Sequence, residues 1–164
     1  PVIIVSDTSV ITNLINVESL FLLKELYQNV IIPQAVYQEL SASEGDILNQ
    51  LDQDWINVCS VESQTEVVKF QKSARLDRGE SEAILLAQQL NADLLLIDER
   101  RGRAEAQRLG IRITGLLGIL VDAKTNGLIA AVKPVLDRLM ADATFRVSPA
   151  LYALILKMAQ EENV

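Results

Sequence analysis

Two short apolar runs, each followed closely by an aspartate, constrain this chain more than any other feature. Val2-Ile-Ile-Val5 is β-branched throughout and leads within two residues to Asp7, and Asp93-Leu-Leu-Leu-Ile97 leads directly to Asp98. Runs this short and this uniformly apolar read as strands buried on both faces. A helical pattern follows each of them. Asp7, Thr8 and Ser9 offer N-cap side chains before the first, and Gly110 closes the second, which spans Glu99 to Leu109. The rest of the chain alternates similarly. A second helix is expected over Glu18–Tyr27, a strand over Val30–Ile32, and a helix over Gln34–Leu40 with Pro33 as its first-turn proline. Polar Ser41–Asp54 reads as a short helix between loops, Trp55–Cys59 as a strand, and Thr65–Ser73 and Arg78–Leu90 as helices. Ile111–Ile113 reads as a last short strand, and the remainder as helical, with Pro134 and Ser148-Pro149 as start signals. Strands alternating with helices predict an α/β fold around a central parallel sheet covered on both faces.

At 164 residues and 49% hydrophobic composition, the chain is expected to form a single domain, with about 130–164 as a C-terminal helical extension. No internal repeat or dividing linker is visible. No apolar run approaches the roughly 18 residues that a bilayer needs, so a cytoplasmic protein is expected. The chain begins at Pro1, and a leading residue is expected to have been removed. Absences narrow the chemistry further. With no histidine, Ser-His-Asp and Cys-His catalysis and any His-ligated zinc site are excluded. Cys59 is the only cysteine, so it forms no intrachain disulfide and is expected to be a small buried hydrophobe. Carboxylates, hydroxyls, Lys and Arg remain.

The acids fall in places a parallel sheet makes significant. Ligands gather beyond the carboxyl ends of parallel strands, where Asp7 and Asp98 sit. Each could equally cap the helix after it. Glu39 lies three and four positions after Val36 and Ala35, and so projects from the apolar side of its helix unless the helix end frays into solvent. Glu80 shares a face with Ala83, Ile84 and Ala87, whereas Glu82 lies on a flank of mixed character. Asp77-Arg-Gly-Glu80 also has capping-box spacing, in which Glu80 would bond back to the Asp77 backbone. Acids drawn together repel one another unless a cation sits between them. A hard divalent ion takes such oxygen ligands and serves phosphodiester hydrolysis.

Val-Ser-Asp7-Thr8-Ser9, Ile-Pro-Gln-Ala-Val-Tyr-Gln-Glu39-Leu, Asp77-Arg-Gly-Glu80-Ser-Glu82-Ala-Ile and Leu-Leu-Ile-Asp98-Glu-Arg, in this order, resemble a PIN domain. The resemblance runs from Pro1 to about Leu120 and is to the VapC-like ribonucleases, in a branch with Gly-Glu at the third acidic site. It implies a three-layer α/β/α sandwich with a central parallel sheet. It also implies an acidic pocket for Mg²⁺ or Mn²⁺ and cleavage of RNA by a metal-activated water. Asp7, Glu39 and Asp98 match the family's first, second and fourth acids. Glu80 is matched to the third, with Glu82 in reserve; many relatives carry aspartate there. The resemblance further implies the toxin of a type II toxin–antitoxin pair, held inactive by a small antitoxin protein.

The net charge of −7 excludes a protein that coats nucleic acid by bulk charge. The bases are nonetheless grouped: Arg75 to Arg112 holds seven arginines and seven acids. Arg101 and Arg103, just after Asp98, are candidates to hold RNA phosphates, and Ser9 could orient a water or substrate beside the first acid. The alternatives are helix capping for Thr8 and Ser9, and a solvated face with an Arg101–Glu105 pair and an Arg108–Glu105 pair. Trp55, Phe70 and the tyrosines are scattered and form no stacking platform. Between Ser148 and Gln160, Leu151, Leu154, Ile155 and Met158 form a stripe that either packs on the domain or joins a homodimer. Two rival functions remain: a receiver-like phosphoacceptor with Asp98 as its target, and an inactive PIN-like binding module.

Overall fold

The computed structural model describes residues 2–43, 54–142 and 145–162. Among them lies a five-stranded, all-parallel sheet: β1 (Ile4–Ser6), β2 (Val30–Pro33), β3 (Ile56–Cys59), β4 (Leu94–Leu96) and β5 (Ile113–Thr114), in spatial order β3-β2-β1-β4-β5. Side-chain alternation divides its central strands between two cores. Ile4, Ile32 and Leu96 face one side, where α1 (Thr8–Asn16), α2 (Phe21–Tyr27), α7 (Leu116–Thr125) and α8 (Val132–Ala141) bury Leu14, Leu22, Ile119 and Leu136. Val5, Leu95 and Ile97 face the other, against α4 (Gln64–Ala74), α5 (Arg78–Gln89) and α6 (Arg100–Arg108), which contribute Val67, Ile84, Leu86 and Ala106. α3 (Gln34–Ser43) adds Val36 and Leu40 to the first core, and α9 (Pro149–Met158) adds Ile155. The expected three-layer α/β/α sandwich is what forms, and the helices after residue 130 help to close its first core.

Departures from expectation lie at element ends. Glu18 does not begin a helix. It adopts a left-handed φ of 54° while Ser19 N–H donates to Leu14 O at 2.8 Å, so the turn that closes α1 displaces the start of α2. Pro33 is not a first-turn helix residue; it is the last of β2, paired with Cys59. Ile111 is still in the turn after α6, its N–H on Ala106 O at 2.9 Å, so β5 starts at Ile113. The short helix expected within Ser41–Asp54 falls largely outside the described residues, and α3 continues to Ser43. Cys59 is only half-buried, because β3 is an edge strand. Among the described residues no helix is long and apolar enough to cross a membrane.

Candidate active site at the switch point of the sheet

Strand order reverses direction between β1 and β4: the chain moves outward from β1 to β2 and β3, then returns to build β4 and β5 on the other side. The connections before and after that gap leave on opposite faces, which opens a crevice beyond the carboxyl ends of the two strands. Asp7 and Asp98 flank this crevice. Asp7 N–H donates to Leu96 O at 2.9 Å, extending the β1–β4 ladder by one bond, and Asp98 lies two residues past Leu96.

Asp7 is buried and caps α1, its Oδ1 accepting from Thr8 N at 2.7 Å. Burial pushes its carboxyl from 3.8 up to about 7; the Thr8 N–H opposes that rise, and the charges of Asp77, Glu39 and Asp98 add to it. Asp98 does not cap the helix that follows it. Glu99 takes that position, accepting from Gly102 N at 2.7 Å, and Asp98 Oδ1 reaches across to accept from Leu116 N, at the start of α7, at 3.0 Å. Among the described residues its buried Oδ2 has no hydrogen-bond partner, nor does Ser9 Oγ along the same groove. Burial raises the Asp98 pKa against the opposing Leu116 N–H and Arg103 charge. Gly115 makes this close approach possible, because a Cβ there would overlap Asp98 Oδ1 and lie 2.7 Å from Arg103 Nη1.

Glu39 comes from α3. Its Oε2 accepts from Thr8 Oγ1 at 2.6 Å, and its head rests on Gly79, where a Cβ would lie 2.5 Å from Oε1. Burial raises the Glu39 pKa, Thr8 lowers it, Asp77 raises it, the Gly79 N–H lowers it, and Glu82 raises it. The capping box is formed: Glu80 N–H donates to Asp77 Oδ1 at 2.7 Å, and Asp77 N–H to Glu80 Oε2 at 3.3 Å. Glu80 also lies within electrostatic reach of Asp7, and burial followed by its contact with Asp77 pushes its carboxyl up to about 8. Capping and proximity to the crevice thus coexist in one side chain.

Glu82 is the correction to the helical-wheel argument. It is buried at 2% exposure, whereas Glu80 is only partly so. Its Oε2 accepts from Arg78 Nε at 3.0 Å, and its Oε1 from Ala35 N at 3.2 Å. α5 packs on α3 as well as on the sheet, α4 and α6, so its supposed flank is an interior surface. Asp77, treated only as a cap in sequence, is the acid missed: its charge raises the pKa values of Asp7, Glu39 and Glu80 alike. Its position one helical turn before Glu80 was the available signal.

Among the arginines, Arg103 Nη1 donates to Ile97 O at 3.0 Å and lines the groove beside Asp98. Arg101 donates to Arg75 O at 3.4 Å, and the expected Arg101–Glu105 pair does not form because Arg108 holds Glu105 at 2.8 Å.

The donor set is all oxygen and suits a hard divalent ion, and the unpartnered Asp98 Oδ2 and the high pKa of Asp7 are two groups that such an ion would satisfy. As they stand, among the described residues no three carboxylates are gathered into one ligand set. Glu39 accepts from Thr8, Glu80 from the Asp77 backbone and Asp98 from Leu116. No curated protein matches the chain. The family model for DUF3368, a PIN domain, matches residues 3–161, nearly the whole length. The chain therefore belongs to the PIN-domain family, whose members are generally nucleases.

Proposed function

We propose that the protein is a divalent-metal-dependent endoribonuclease, with Asp7, Glu39, Glu80 and Asp98 as the residues that hold Mg²⁺ or Mn²⁺. The observation that carries this best is the pairing of Asp7 and Asp98 at the switch point, one with its pKa raised to about 7 and the other with an unpartnered buried oxygen. A bound ion would supply neutralising charge at the scissile phosphate and lower the pKa of an attacking water. The protein's own groups do the rest. Thr8 orients Glu39, the start of α7 fixes one oxygen of Asp98 so that the other points free, and the Asp77 backbone holds Glu80 at the first turn of α5. Arg103 and Ser9 line the adjoining groove, where they can steady a phosphate, and Arg101 contributes positive charge from outside it.

The toxin role, a small antitoxin partner and a cytoplasmic setting belong to the same proposal and rest on the family resemblance; a homodimer through the exposed apolar residues of α9 is the competing use of that face. One observation favours a second reading, an inactive binding module: among the described residues no three of the acids are gathered into one ligand set. Family membership displaces the receiver reading. Incubating purified protein with a panel of single-stranded RNAs, with Mg²⁺ or Mn²⁺, separates the remaining two. The nuclease cuts and Asp7→Asn abolishes cutting; a binding module leaves every RNA intact with either ion.

A further inference from the structure

A groove of about 670 Å³ opens from the Asp98–Arg103 corner and runs under α9. Its lining is polar at Ser9, Asn13 and Thr114 and apolar at Phe145 and along the α9 wall of Leu151, Leu154 and Met158. These last three are 39%, 51% and 56% exposed, whereas Ile155, which also touches the groove, is buried in the first core. Arg146 stands on the same groove, and among the described residues neither it nor Arg103 forms an ion pair.

We infer that this groove is a subsite for one unpaired nucleotide of the RNA, next to the point of cleavage, and the inference rests on the nuclease reading above. The phosphate sits between Arg103 and Arg146, and the base lies against Leu151, Leu154 and Met158. Arg146, with no ion pair among the described residues, and Arg103, whose charge already acts on Asp98, offer guanidinium groups that complement a phosphate. An aliphatic wall takes the apolar face of any base, and a volume within about 300–1,000 Å³ suits a nucleotide-sized occupant. Asp98 itself lines the groove, so a strand bound at the acids can leave along it. In a duplex the bases are stacked and paired, and this wall would have nothing to receive.

The test uses fluorescence anisotropy of short labelled RNAs in EDTA, with a single abasic residue walked along the strand. One abasic position is expected to weaken binding about tenfold, the equivalent of roughly 60 Å² of apolar contact. The Leu154→Ser/Met158→Ser protein should bind intact RNA about tenfold more weakly and be indifferent to that abasic position. Both side chains are mostly exposed, so the fold should survive, as circular dichroism would verify. Arg146→Gln, a second and independent variant, should reduce the slope of log affinity against log salt by about one. Equal binding of all abasic RNAs, or a double variant that keeps the wild-type sensitivity, overturns the subsite. Cleavage of the same RNAs in Mg²⁺ or Mn²⁺ is scored separately: its failure with the binding pattern intact overturns the nuclease reading and leaves the groove as a nucleotide-binding site without cleavage.

Discussion

Thr8 Oγ1 donates to Glu39 Oε2 at 2.6 Å, joining the first turn of α1 to the outer half of α3 across the mouth of the crevice. The bond stabilises the ionised form of Glu39 against the burial that raises its pKa. Replacing Thr8 with Val removes the donor, so Glu39 holds its proton to higher pH. Thr8→Val should shift the acidic limb of the pH–rate profile upward and lower activity about fivefold near that limb, a loss moderated by the partial exposure of Glu39. Thr8→Ser should restore both, and a pH–rate profile of the three proteins checks it.

Asp7 carries a cost in stability with a definite sign. Its carboxyl has an ordinary pKa of 3.8 and is pushed to about 7 in the fold, so between these values the native state holds a proton that the unfolded chain has lost. The contribution of Asp7 to stability is therefore most favourable below pH 4, falls as pH rises to 7, and stays low above it. Asp7→Asn removes this term. The variant should be more stable than wild type at pH 8, by on the order of 4 kcal/mol at most, and nearly equal to it at pH 4. Thermal melts of both proteins at the two pH values measure the difference.

Glu80 and Glu82 stand two residues apart and should respond oppositely to substitution. Glu82→Ala strands the buried Ala35 N–H and releases Arg78, and should cost roughly 1–3 kcal/mol of stability. Glu80→Gln keeps a side chain able to bond the Asp77 backbone and should cost under about 1 kcal/mol while abolishing cleavage. Urea unfolding and an activity assay on the two variants separate a structural acid from a catalytic one.

Gly115 adopts an ordinary extended conformation with φ of −111°, so alanine there meets no backbone strain. The added Cβ instead displaces Asp98 and Arg103. Gly115→Ala should lose stability by about 1–3 kcal/mol and activity by more than tenfold, whereas Gly110→Ala, strained by its φ of 76° with open space around it, should lose stability alone.

Much of the fold was legible because it rests on local patterns. The β-branched run before Asp7 and the leucine run before Asp98 announced buried strands, and the structure pairs them in a register that brings those two residues together at the switch point. The capping box at Asp77 and Glu80 was equally local, and it formed. What escaped depends on contacts distant in sequence. Asp98 is held by Leu116, eighteen positions on, and no spacing rule links them. A helical wheel assumes one wet face, but α5 packs on several elements, which is why Glu82 turned out buried. The stripe on α9 was visible as a pattern; that it would face a groove beside Asp98 depends on how the last helices return to the sheet.

Isothermal titration of Mn²⁺ into the wild-type protein, Asp7→Asn and Asp98→Asn at pH 8 tests the central claim most directly. Saturable binding to the wild type, weakened at least tenfold in each variant (about 1.4 kcal/mol or more), is the predicted result. Wild-type affinity retained by both variants, or no binding to the wild type, would contradict it.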